Sequence, residues 1–95
     1  MKTKLNYSYK LIEDFLISSK IEKGLSSNTI ESYRSDLSGL LDLLEKNKKI
    51  SKISIEDFEY LLSIWHKTLS PSTQARKIST LKQFFEWLFN EGKLT

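Results

Sequence analysis

The sequence predicts an all-α protein folded as a compact helical bundle, and three observations predict it. Helix breakers are scarce, with three glycines and a single proline, Pro71, in 95 residues. Long stretches between them carry apolar residues at spacings of three and four, the helical period. Serines and asparagines stand where such stretches begin, and glycines where two of them end, as helix capping requires. A chain of this length makes one domain, residues 1–95, with a small core and little room for a deep catalytic cavity.

The first helix is expected over Ser8 to Lys23, with Ile12, Phe15, Leu16 and Ser19 on its inner face and Gly24 as the left-handed stop. The second begins near Ser26 or Asn28. Asn28 and Glu31 have capping-box spacing, and Ser26 is the competing cap. Its inner face is Ile30, Tyr33, Leu37, Leu40, Leu41 and Leu44, and it ends in lysine-rich sequence around Asn47. Ile50 and Ile53 anchor the connection that follows. Ser54 caps the third helix, with Asp57 three residues on, and the apolar face of that helix is Ile55, Phe58, Leu61, Leu62 and Trp65. Ser70 caps the fourth, with Pro71 at its first position, where a missing N–H costs nothing. Ala75, Ile78, Leu81, Phe85 and Leu88 are expected to face inward, and Gly92 ends the helix. Phe84 and Trp87 fall off that stripe. Either the first helix covers them or they mark a docking site for a second domain.

Composition narrows the function classes. There is no cysteine, so neither a disulfide framework nor a thiolate metal site is available. No apolar run is long enough to span a membrane, and the lysines near Met1 precede no apolar segment of the signal-peptide kind. A cytoplasmic protein is expected. The lone His66 lacks the partners of a metal site and reads as a surface residue. No two glycines lie close enough for a phosphate loop, and no His–Asp pair stands ready to activate a serine. Glu56 and Asp57 belong to a helix first turn, where the macrodipole favours them. No catalytic residue, metal or cofactor is therefore expected.

Charge is better read by distribution than by sum. The net charge is +3, but between Leu69 and Phe85 the charged residues are Arg76, Lys77 and Lys82, without an acid. Lys46, Lys48, Lys49 and Lys52 cluster in one connection, where solvation of a loop explains them equally well. Glu31, Asp36, Asp42 and Glu45 lie in one acidic segment, and Glu56, Asp57 and Glu59 in another. Segregation of this kind suits a polyanionic partner. On a helical wheel Ser72, Arg76, Ser79, Thr80 and Gln83 occupy the fourth helix's outer face, with Thr73 and Lys77 at its edge. Hydroxyl, amide and cationic groups are those that bond phosphates and base edges. On the second helix Asn28, Ser32, Ser35 and Gly39 form a small-residue stripe that DNA or another helix can approach closely.

Several segments resemble the core-binding domain of phage integrases and Xer-type recombinases. They are Glu22-Lys23-Gly24-Leu25-Ser26, Asn28-Thr29, Tyr33-Arg34-Ser35-Asp36-Leu37, Leu69-Ser70-Pro71-Ser72-Thr73, Arg76-Lys77-Ile78-Ser79-Thr80-Leu81 and Phe84-Phe85-Glu86-Trp87-Leu88. Asn90-Glu91-Gly92-Lys93-Leu94 is similar to that family's exit into an interdomain linker. The resemblance runs in order from Ile12 onward. It implies a SAM-like orthogonal bundle of four or five helices, one half of a C-shaped clamp that holds double-stranded DNA near a crossover site. Its implied partners are DNA, the catalytic domain of the same parent protein and further recombinase protomers on DNA, without a membrane. Carried over by position, the DNA contacts fall at Thr29, Ser32, Arg34, Ser72, Thr73, Arg76, Lys77 and Thr80. Tyr33 and Leu37 match too, but periodicity assigns them to packing. The catalytic Arg, Lys, His and Tyr of that family belong to a second domain, and Tyr7, Tyr9, Tyr33 and Tyr60 match none of them. The chain thus reads as non-catalytic, either a fragment of a longer recombinase, which the linker-like ending favours, or a stand-alone remnant of one. Two other classes compete: a helical protein-interaction module, favoured by the modest charge and extra aromatics, and a helix-turn-helix repressor, disfavoured by the long helices.

Overall fold

A computed structural model describes residues 2–45 and 53–93, with side chains described over 9–42 and 53–93. Among the described residues there are four helices, α1 (Lys2–Lys23), α2 (Ser27–Glu45), α3 (Ile55–Thr68) and α4 (Pro71–Asn90). The lysine cluster Lys46, Lys48, Lys49 and Lys52, together with Ile50, lies outside the described residues, as does the side chain of Leu44.

The boundaries follow local chemistry. Helix α1 begins at Lys2 rather than Ser8. The segment between them holds no breaker, so the helix continues ahead of the apolar period that placed the expected start. Gly24 ends it at φ 63°, a left-handed conformation that glycine adopts without a Cβ penalty. Ser26 is the cap of α2, for its Oγ accepts the Thr29 N–H at 3.2 Å. Glu31, the other half of the alternative box, turns to Arg34 instead. At α3 the Ser54 hydroxyl accepts from Asp57 N at 3.2 Å while the Asp57 carboxylate accepts from Ser54 N at 2.9 Å, a complete capping box. Ser70 caps α4 through Thr73 N at 3.3 Å, with Pro71 opening the helix.

Helix α2 packs against all three others. The core joins Leu11, Ile12, Phe15 and Leu16 of α1 to Ile30, Leu37 and Leu40 of α2, Leu61 and Trp65 of α3, and Leu81, Phe84 and Leu88 of α4. Phe15 answers the question of the extra aromatics. Its ring lies 5.3 Å from that of Phe84, edge-on, and 5.8 Å from that of Trp87, so α1 covers both.

Two apolar positions depart from expectation. Ile55 is 74% exposed, because it occupies the first turn of α3, ahead of the stretch that meets the core at Leu61 and Trp65. Ala75 is exposed as well. The buried stripe of α4 runs through Thr80, Leu81, Phe84 and Leu88, rotated toward Thr80 and away from Ala75. That rotation has a polar cause, the buried carboxylate of Asp36 on α2.

Candidate nucleic-acid interface

At the junction of α2 and α4, Asp36 is fully buried (0% exposed), although its segment reads as a surface acidic patch. Both of its oxygens are used. Oδ2 accepts the Thr80 hydroxyl at 2.8 Å, while Oδ1 takes the Arg76 Nη2 at 2.8 Å and the Lys77 Nζ at 3.3 Å. A carboxylate leaves water only when charge and hydrogen bonds replace its hydration, and here two hydrogen bonds, from Thr80 and Lys77, and two cations do so. This corrects the wheel placement of Thr80, which lies inside the protein rather than on the outer face. The same hydroxyl hydrogen is shared, more weakly, with the Arg76 carbonyl at 3.2 Å. Lys77 is drawn inward too, at 14% exposed, with its ammonium 5.7 Å from the centre of the Trp65 ring. Arg76 is 51% exposed and spends one nitrogen on Asp36, which leaves the rest of its donor fork facing out.

Arg34 stands in a different cluster. Its Nε and Nη2 meet the two oxygens of Glu13 at 2.9 and 2.8 Å, a bidentate bridge from α2 to α1, and its Nη1 donates to Glu31. The hydrogen bond from Arg34 holds the Glu13 carboxyl below the ordinary range, and the two acids raise the Arg34 guanidinium above its own. Gln83 is engaged as well, its Oε1 accepting from Lys23 Nζ at 2.9 Å and from the Tyr33 hydroxyl at 3.5 Å.

The other sites of the sequence reading stay near the surface. Ser72 and Ser79 are exposed, and Thr29, Ser32 and Thr73 are half-buried. Around the start of α4 the hydroxyls of Ser70, Ser72 and Thr73 form a short chain, at 3.4 Å and 3.0 Å from Ser70. The small-residue stripe divides between its two readings. Asn28 and Ser35 are exposed, whereas a Cβ on Gly39 would lie 3.1 Å from Leu61 Cδ1 and 3.3 Å from Trp65 Cζ2. Its Gly39 end is therefore a helix–helix contact and its Ser35 end is open. His66 is exposed on α3.

The sequence reading missed Asp36 and Glu13 as anchors. A signal for Asp36 was available, since it lies three residues after Tyr33 and four before Leu40, within the apolar stripe. A carboxylate inside such a stripe asks for a buried cation. Nothing local marked Glu13, whose partner is 21 residues away.

A bundle of this kind, with an acid-free start to α4 beside α2, is what the comparisons with known proteins return. The chain belongs to the family described as phage integrase, N-terminal SAM-like domain, whose model matches residues 12–92. It is similar to tyrosine recombinase XerD of Vibrio cholerae serotype O1, 33% identical over 96% of this chain and 31% of that protein. It is also similar to XerD of Haemophilus influenzae, 37% identical over 85% of this chain and 28% of that protein. Tyrosine recombinase XerC of Herpetosiphon aurantiacus is 36% identical over 88% of this chain and 28% of its own length. The chain thus spans less than a third of the curated relatives it matches. No solved structure matches it. Among the described residues no helix is long and apolar enough to cross a membrane.

Proposed function

We propose that this chain is the DNA-binding domain of a site-specific tyrosine recombinase, holding duplex DNA near a crossover site and carrying no catalysis of its own. One observation supports it most: α4 shows Ser72, Arg76, Ser79 and Lys82 outward, holds no acid before Glu86, and has the neighbouring Asp36 buried beneath it. Positive and hydroxyl groups without competing carboxylates suit a phosphate backbone and base edges. Thr29, Ser32 and Thr73 complete the proposed contact set around Arg76. Arg34 and Lys77 enter it only by releasing the acids that hold them. The reading places the protein in the cytoplasm, with a catalytic domain of the same parent and further protomers as its partners on DNA.

The test is a salt titration of duplex binding. With three or four phosphates neutralised, log affinity falls against log salt with a slope of roughly −3 to −4. A folded chain with no binding at low salt instead favours a protein-interaction module, a reading to which exposed Ile17, Ile21, Ile55 and Phe89 lend support. Incubation with a nicked suicide duplex should leave no adduct on a denaturing gel. A covalent adduct would overturn the non-catalytic part of the proposal.

A further inference from the structure

We infer that Asp36 is a positioning residue for DNA binding: from beneath the junction of α2 and α4 it aims the Arg76 guanidinium outward and withdraws Lys77 from the phosphate-binding set. The inference rests on the DNA-binding reading and extends it to a residue that cannot touch DNA, being 0% exposed.

Stability alone is a poor reason for this cluster. A buried ion pair is often no better than apolar packing of the same volume, and Asp36 lies in a stripe where an apolar side chain would pack. What the carboxylate adds is direction. Arginine is a long, rotamer-rich side chain, and an ion pair that holds its Nη2 2.8 Å from Asp36 Oδ1 narrows the positions open to the half-exposed guanidinium. The ordering is then complete before DNA arrives, so binding need not supply it. Lys77 has the opposite fate. The same oxygen and the Trp65 ring hold its ammonium inward. Thr80, hydrogen-bonded to both Asp36 and the Arg76 carbonyl, ties the carboxylate to the turn of α4 that carries the arginine.

The sign of one substitution separates this role from a purely electrostatic one. Removing a negative charge near DNA strengthens binding by Coulomb attraction. Removing a positioning group weakens it. The experiment is a double-mutant cycle on the 95-residue chain, Asp36→Asn against Arg76→Ala, titrating a short mixed-sequence duplex at low salt by fluorescence anisotropy. Asp36→Asn should weaken binding roughly two- to tenfold where Arg76 is present, the worth of ordering one such side chain in advance. With Arg76→Ala already in place it should weaken binding no further.

Stronger binding where Arg76 is present, or equal weakening in both backgrounds, overturns the inference, whereas a gain confined to the Arg76→Ala background is the released Lys77 ammonium and supports it. If circular dichroism shows Asp36→Asn unfolded, Arg76→Lys decides. That variant keeps the charge but loses the fork, so affinity should fall by a similar factor with the salt slope unchanged, whereas wild-type affinity overturns the inference. A wild-type chain that binds no duplex at low salt takes down the DNA reading itself, while binding without coupling between the two residues removes only the role given to Asp36.

Discussion

Arg34 and Arg76 begin as equals in the sequence, each a helical arginine in a segment with integrase resemblance, and they end in different electrostatic circumstances. Arg34 gives three nitrogens to two carboxylates near the surface, Glu13 and Glu31. Arg76 gives one nitrogen to a carboxylate that is wholly buried. A surface acid can wrap an arginine and consume its fork. A buried acid reaches it from one side only and leaves the outward donors free. The location of the acid, more than the count of cations, decides which arginine is available to a ligand.

The strongest way to break this comparison is to remove each acid. Asp36→Ala leaves Lys77 largely buried without its countercharge and Thr80 without its acceptor. Unfolding by urea should show a loss of about 3–5 kcal/mol, the range for breaking a buried pair from one side. Glu13→Ala should cost less, on the order of 1 kcal/mol, as for a bidentate pair that is only partly withdrawn from solvent. Equal losses would mean that burial does not separate the two clusters.

The next contrast is within the small-residue stripe. Gly39→Val places branched methyl groups against Leu61 and Trp65 and should cost roughly 1–3 kcal/mol by overpacking. Ser35→Glu, at an exposed helical position, should leave the melting temperature nearly unchanged and weaken duplex binding by charge repulsion. Loss of folding in Ser35→Glu would make the whole stripe a packing surface.

A smaller effect separates two adjacent cations. Arg76→Ala should weaken duplex binding and make the salt slope shallower by about one unit, the signature of a single phosphate contact. Lys77→Ala should leave the slope nearly as it was, because its ammonium faces Asp36 and Trp65. An equal change in both slopes would place Lys77 back among the contacts.

These contrasts also show what the sequence made legible. Capping chemistry is local, so Ser54 with Asp57, Ser70 with Pro71, and Gly24 could be read directly and stand in the structure as read. The apolar periods likewise located Phe15, Leu37, Leu61 and Leu88 inside. Thr80 could not be placed that way. Its burial depends on an acceptor 44 residues away, and a wheel drawn from hydrophobicity assigns a hydroxyl to solvent. Ile55 failed for the converse reason, since apolarity does not say whether a helix's first turn reaches the core. Periodicity reports which face is inward. The pairing of polar residues across helices is long-range information that a single sequence states only weakly, and the candidate interface depends on that pairing.

The smallest expected effect concerns acid. Arg34 holds the Glu13 carboxyl below its ordinary range, so Glu13 binds a proton less readily in the folded chain than in the unfolded one. Its contribution is therefore complete above the unfolded carboxylate value, about 4.3. It declines as pH falls through the lower folded value, where protonation breaks the bridge. Wild type and Glu13→Gln should accordingly differ slightly in melting temperature at neutral pH, by the equivalent of about 1 kcal/mol for a pair only partly withdrawn from solvent. The two curves should converge once the pH is well below the ordinary carboxylate range. Added salt should narrow the neutral-pH gap, because screening weakens accessible pairs more than buried ones. A gap that persists unchanged in acid would show that Glu13 supports α1 by packing rather than through its charge on Arg34.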